Sequence, residues 1–121
     1  MMMQSMPLVT VLMPCYNASR FLKEALDSVI AQEYSNLEIL AIDDGSSDDT
    51  AAIISGYAHR DVRVRLVTNE VNLGLIRTLN KGISLATGKY IARMDADDVS
   101  SADRILKLVD RKSTRLNASH T

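Results

Sequence analysis

The stretch "LEILAIDDGSSDDTAAIISGYA", residues 37–58, decides how this chain folds. Its first seven residues, "LEILAID", are apolar apart from Glu38 and the closing Asp43. That is the pattern of a strand buried on both faces. After Asp44 the chain turns at Gly45, where the missing side chain permits a tight bend. The Ser and Asp residues that follow can satisfy the free N–H groups of a helix start and complement its dipole, and "TAAIISGYA" continues as the helix. Strand, acidic turn and helix thus form one unit.

The same unit recurs on both sides. Upstream, "PLVTVLMP" (7–14) reads as a strand closed by Pro14. "SRFLKEALDSVIAQ" (19–32) then puts Phe21, Leu22, Ala25, Leu26, Val29 and Ile30 on one helical face, a core-packing pattern. Downstream, "VRVRLVT" (62–68) alternates and suits a strand nearer a sheet edge. "LGLIRTLNKGISLA" (73–86) gives Leu75, Leu79, Ile83 and Ala86 helical spacing and stops at Gly88. "YIARMD" (90–95) is a fourth strand, and "SADRILKLVD" (101–110) a last helix capped by Ser101. Four β-α units in series imply the α/β class: a Rossmann-like, mostly parallel sheet of about four strands flanked by helices.

Ligands of such sheets bind outside the carboxyl ends of the strands. Polar residues of this chain gather there: "CYN" after the first strand, "DDGSSDD" after the second, "DADD" after the fourth. In "YIARMDADDVSSADR" the carboxylates Asp95, Asp97 and Asp98 would repel one another without a cation among them. Hard divalent ions such as Mg²⁺ or Mn²⁺ take oxygen ligands, and Mg²⁺ pairs one or two carboxylates with substrate phosphates. No His or Cys lies near enough to suggest zinc; His59 and His120 read as surface residues.

Composition narrows the classes. The chain has 121 residues, 46% hydrophobic and 24% charged, as in an ordinary globular domain. Three of the 14 basic residues, Arg111, Lys112 and Arg115, crowd into "RKSTRLNASHT" beside no acid, so the body is mildly acidic. With no Trp and few aromatics, a nucleic-acid partner is disfavoured. Cys15, the lone cysteine, rules out an internal disulfide and suits a reducing compartment. "MMMQSM" lacks the flank and core of a signal peptide, and no run is long enough to span a membrane. The chain reads as soluble and cytoplasmic. There is no G-x-x-x-x-G-K-[ST], no G-x-G-x-x-G after the first strand and no nucleophile elbow. The remaining acidic pair, Tyr-Asn loop and D-x-D could hold the base, ribose and diphosphate of a nucleotide.

"VTVLMPCYNASRFLKEALDSVIAQEYSNLEILAIDDGSSDDT", followed by "NLGLIRTLNKGISLATGKYIARMDADD", resembles the family 2 glycosyltransferases of the GT-A fold. Four motifs occur in order and at matching spacing over about residues 8 to 110. The resemblance makes residues 1–110 the nucleotide-sugar-binding part of a GT-A domain, a half-domain whose partner half is missing. Residues 111–121 break the pattern and read as a tail, a non-native scar or the point of a truncation.

The resemblance also implies roles. Pro14, Cys15, Tyr16 and Asn17 would line the nucleobase pocket, with Tyr16 against the base; Cys15 stands where Thr or Ser is usual. Asp44 would accept the base imino N–H, and Asp43 would orient the loop. Asn72 and Gly74, in "NLGLIRTLNKG", would shape the wall beside the nucleotide, and Leu79 stands where many members carry Arg. Asp95 would reach the ribose or metal, Asp97 would hold Mg²⁺ or Mn²⁺ against the diphosphate, and Asp98 is a third candidate ligand. The reaction implied is metal-dependent, inverting transfer of a sugar from a UDP-sugar or related donor to an acceptor hydroxyl. The acceptor would be a glycan or lipid-linked sugar, met at the inner face of the membrane by the full-length enzyme. The general base is expected downstream of this chain, so the catalytic residues here are none. Two other readings compete. One is a non-catalytic nucleotide-binding fragment that self-associates through a bare sheet edge or helix face, as a homo-oligomer. The other is a receiver-like signalling domain, but its acidic pair would follow the first strand rather than the second.

Overall fold

The computed structural model describes residues 6–118. Strands and helices alternate: β1 (Val9–Cys15), α1 (Leu22–Ile30), β2 (Leu37–Asp43), α2 (Thr50–Arg60), β3 (Val64–Thr68), α3 (Leu75–Leu85), β4 (Tyr90–Arg93) and α4 (Arg104–Ala118). All strand pairings are parallel, in the order β3-β2-β1-β4. The alternation legible in the sequence is therefore the fold. None of its described helices is long and apolar enough to cross a membrane. Residues 1–5 and His120 lie outside the described residues.

Alternation along the strands sorts the core into two layers. Val9, Val11, Met13 and Cys15 of β1, with Leu37, Ile39 and Ala41 of β2, face Leu22, Ala25, Leu26 and Val29 of α1, Ile54 of α2 and Ile105 of α4. Leu12, Leu40 and Ile42 point the other way and meet Leu79 and Leu85 of α3. This second layer is thin, and α3 reaches it by close approach. A Cβ at Gly82 would lie 2.3 Å from Leu12 Cδ1 and 3.0 Å from Ile42 Cδ1.

Four local expectations change. β1 runs through Pro14 to Cys15 rather than closing at Pro14. The carbonyl of Leu12 accepts Met94 N–H from the β4 side, and β4 pairs no further along β1 than Leu12. Pro14, two residues on, turns its missing N–H to that same open side, so no ladder bond is lost. On α3 the buried residues are Thr78 and Gly82, while Leu75 and Ile83 are 50% and 55% exposed. Gly82 lets the helix settle on its small-residue side, which rotates the Leu75–Ile83 row outward. Phe21, expected in the core, precedes α1 and is 48% exposed, with the Arg20 guanidinium 5.5 Å from its ring.

Ser101 does not cap α4, which starts at Arg104. Buried Gln32 does that work from the end of α1: its Oε1 accepts Ile105 N–H at 3.0 Å, and its Nε2 donates to the Ser101 carbonyl at 2.6 Å. α4 continues past Arg111, where the apolar periodicity of the sequence ends, as far as Ala118.

The strand order fixes where a ligand can enter. The chain builds β1, β2 and β3 outward on one side, then crosses to lay β4 on the other side of β1. The reversal opens a crevice between the carboxyl ends of β1 and β4.

Candidate functional site

Three loops meet at that end of the sheet, and polar side chains fasten them together. The loop after β1 turns at Asn17, whose φ of 47° is left-handed, a region Asn tolerates better than most residues. Asn17 Oδ1 accepts Ser47 N–H at 2.8 Å, and Asn17 N–H donates to Ser46 Oγ at 2.9 Å. The Thr50 hydroxyl accepts Ala18 N–H at 2.9 Å and donates to Asp48 Oδ1, while Asp48 Oδ2 accepts Ser19 N–H at 3.1 Å. Hydrogen bonds from Thr50 and Ser19 outweigh partial desolvation and hold the Asp48 carboxyl well below its ordinary range. Asp48 is thus the clasp between the first two loops.

Asp44 organises the third. It is 4% exposed; Oδ1 accepts Leu73 N–H at 2.7 Å and Asn69 Nδ2–H at 2.9 Å, and Oδ2 accepts Gly74 N–H at 3.0 Å. Burial pushes this carboxyl up, but the donors of Leu73, Asn69, Gly74 and Thr78 together hold it below its ordinary value. Asn72 Nδ2 donates to the Asp44 carbonyl at 3.2 Å. Gly45, at φ 69°, lies so close to this loop that a Cβ would meet Asn72 N at 2.6 Å.

Two clefts result. The first, of about 200 Å³, brings together Pro14, Cys15, Tyr16, Asp44, Asn72 and Gly74, with Leu75 and Thr78 completing its wall. The second, of about 290 Å³, joins Pro14, Tyr16 and Asn17 to Ala18, Phe21, Ala96 and Asp97. Tyr16 is exposed and borders both. Asp43 lies behind the first cleft, buried, with Oδ1 accepting Ser46 N–H at 3.2 Å. Burial, with the Asp43 carboxylate nearby, pushes the Cys15 thiol up to about 12, so Cys15 is a neutral wall residue.

Asp95, Asp97 and Asp98 offer three exposed carboxylate oxygens within 4.8 Å of one another. Arg93 binds Asp95 Oδ1 through Nη2 at 3.0 Å and Nε at 3.2 Å, and Asp98 Oδ2 accepts Asp95 N–H at 3.4 Å. A guanidinium therefore supplies part of the positive charge. The cluster is an all-oxygen donor set, which suits a hard divalent cation. Asp97 is the member that borders the second cleft.

The sequence pattern does not single out Asn69 or Thr78, and it places Phe21 elsewhere. Asn69 and Thr78 are buried polar residues that hold the first cleft's wall; Asn69 is signalled only as a polar residue after a strand pattern, and Thr78, inside a helical pattern, has no signal in the sequence. Phe21 fits the periodicity of α1 and so reads as core, yet it borders the second cleft.

A family model described as "Glycosyl transferase family 2" matches residues 10–117. The chain belongs to that family. It is 43% identical over 107 residues to a glycosyltransferase of Haemophilus influenzae, covering 88% of this chain and 33% of that one. Among solved structures it is similar to the mannosyltransferase PcManGT of Pyrobaculum calidifontis in complex with GDP-Man and Mn²⁺, with TM-score 0.79 and 30% identity over 85% of this chain and 31% of that one. S. aureus TarS 1–349, in complex with UDP-GlcNAc, shares the fold at TM-score 0.78 and 24% identity over 84% of this chain and 30% of that one. The chain spans about a third of the length of these relatives.

Proposed function

We propose that this chain is the donor-binding part of a metal-dependent glycosyltransferase that takes a UDP-sugar and transfers the sugar to an acceptor hydroxyl with inversion. The observation that carries the reading is the pair of clefts sharing Pro14 and Tyr16, with the Asp95–Asp97–Asp98 cluster at the far end of the second. The first cleft sets Pro14, Tyr16 and Leu75 beside buried Asp44, and it suits a nucleobase. Tyr16 packs on the base and Asp44 accepts its imino N–H. The second cleft then takes the ribose and diphosphate toward Asp97. The nucleotide sugars held by PcManGT and TarS support this class of donor.

Asp95, Asp97 and Asp98 are the residues that would hold Mg²⁺ or Mn²⁺. Bound there, the ion would neutralise the negative charge that develops on the departing diphosphate. Asn17 keeps the base-facing loop in place, and Arg93 restrains Asp95 so that the cluster stays assembled. Inverting attack needs a positioned general base on the acceptor side. We assign that base to the part of the relatives that this chain does not span.

The test is calorimetric titration of UDP, with GDP as comparator, into this chain with and without Mn²⁺, repeated on Asp97→Ala. The reading expects UDP binding that requires Mn²⁺ and is lost in the variant. A folded chain that binds UDP equally with and without the ion, or equally after Asp97→Ala, would refute the metal assignment. GDP outcompeting UDP would refute the donor.

A further inference from the structure

One buried amide holds the wall of the first cleft. Asn69 directly follows β3 with 5% exposure, and its Nδ2 donates both to Asp44 Oδ1 at 2.9 Å and to Thr78 Oγ1 at 3.2 Å. Its Oδ1 accepts the Lys81 ammonium at 2.7 Å. An asparagine amide has two orientations that differ only in which end faces which neighbour. An ammonium can only donate and an ionised carboxylate can only accept, so each neighbour admits one end alone. The reversed amide would set Nδ2 against the ammonium and Oδ1 against Asp44. Lys81 therefore selects the orientation that Asp44 requires.

We infer that Lys81 is a positioning residue for the nucleotide site: by fixing the Asn69 amide it keeps the Asp44 carboxylate aimed at the Leu73 and Gly74 N–H groups. Lys81 does not border either cleft and acts only through Asn69. Its place on α3, three residues after Thr78, links the helix to the loop in front of it. The inference rests on the nucleotide-binding reading for its consequence, while its geometry stands on the hydrogen bonds alone. Titratable groups near Asp44 include Asp43 on β2, Tyr16, which lines the same cleft, and Cys15 on β1, whose carbonyl accepts Asp44 N–H at 2.8 Å. None of these changes in the variants below.

The experiment compares the wild-type chain with Lys81→Met and Lys81→Arg by two readouts. One is the titration of the Asp44 carboxyl carbon by NMR without ligand; the other is the affinity for UDP in the presence of Mn²⁺. Lys81→Met should raise the Asp44 midpoint toward the ordinary carboxylate range and weaken UDP about tenfold, the effect of losing one hydrogen bond to a charged group. Lys81→Arg, which keeps a cationic donor, should restore both. Asn69→Asp covers the case in which Lys81→Met does not fold. It keeps a partner for Lys81 but turns a second carboxylate on Asp44, and should raise the same midpoint. An Asp44 midpoint unmoved in every folded variant overturns the inference, even where the melting temperature falls. A wild-type chain that binds no UDP refutes the nucleotide reading, and the Asp44 titration still decides the coupling.

Discussion

Replacing Asp44 with Asn tests whether one carboxylate holds the two halves of the first cleft together. The side chain keeps its shape and loses its charge. Its single carbonyl oxygen can take the Oδ1 place, serving Leu73 N–H and Asn69 Nδ2–H, but its NH₂ group then faces Gly74 N–H, donor against donor. Two charge-assisted bonds weaken to neutral ones, and a part-buried N–H loses its acceptor. Together these should cost about 2–4 kcal/mol at neutral pH, a large part of a small domain's stability. The cost must also depend on pH. The folded-state carboxyl is held below its ordinary value of 3.8, so the unfolded chain binds this proton more readily. The charged contribution is therefore complete above about pH 5 and disappears as the pH falls through 3.8 and below, where the folded carboxyl itself is protonated. Asn has no such proton. Urea unfolding followed by circular dichroism at about pH 7 and about pH 3 should show a wide gap between wild type and Asp44→Asn that narrows in acid. A gap that is the same at both pH values, or a neutral-pH gap below about 0.5 kcal/mol, would refute the account of Asp44 as a charged clasp.

Gly82→Ala should destabilise the fold by about 1–3 kcal/mol despite its better helix propensity, because the new Cβ meets Leu12 Cδ1 at 2.3 Å; thermal melting reads the loss. Gln32→Ala leaves Ile105 N–H without its acceptor and should cost about 1–2 kcal/mol, with faster hydrogen exchange at that amide as the local signature. The Cys15 thiol, pushed up to about 12 by burial and by Asp43, should resist alkylation at about pH 8 in the folded chain and react once urea unfolds it. Fast alkylation without unfolding would mean that the first cleft opens to its floor.

The fold was legible because it depends on periodicity. Short, largely apolar and β-branched-rich runs at 7–14 and 37–43, bounded by turn residues, fit buried strands, and the helical rows between them favour parallel pairing. The misplacements share a cause, since periodicity reports that a face is apolar but not how closely a neighbour approaches. Leu75, Leu79 and Ile83 form a regular row, yet Leu75 and Ile83 turn outward and Leu79 packs on the sheet, because the absent side chain of Gly82 decides which side of α3 comes closest. Phe21 continues the α1 row one residue too far, beyond the first turn, and faces the second cleft instead. Ser101 has the chemistry of a cap, but Gln32, 73 residues from Ile105 in sequence, makes the bond.

The candidate site was legible only at the residues that carry the motifs. Cys15, Tyr16, Asp44, Asn72 and Gly74 converge as expected, because parallel strands in register bring their carboxyl ends to one rim: Cys15 pairs with Asp43, and Asp43 with Thr68. What a single sequence does not display is which polar residue answers which. Asn69, Thr78 and Lys81 are unremarkable in a string, being an asparagine after a strand and two ordinary helix residues. Their function appears when β3 and α3 deliver them to the same carboxylate, where a donor-only ammonium, an amide with one end of each kind and an acceptor-only carboxylate permit a single arrangement. The loop that borders the first cleft is therefore set by the order of donors and acceptors. The thin apolar layer under α3 could not fix it alone, because apolar contact leaves the direction of Leu73 and Gly74 N–H unspecified.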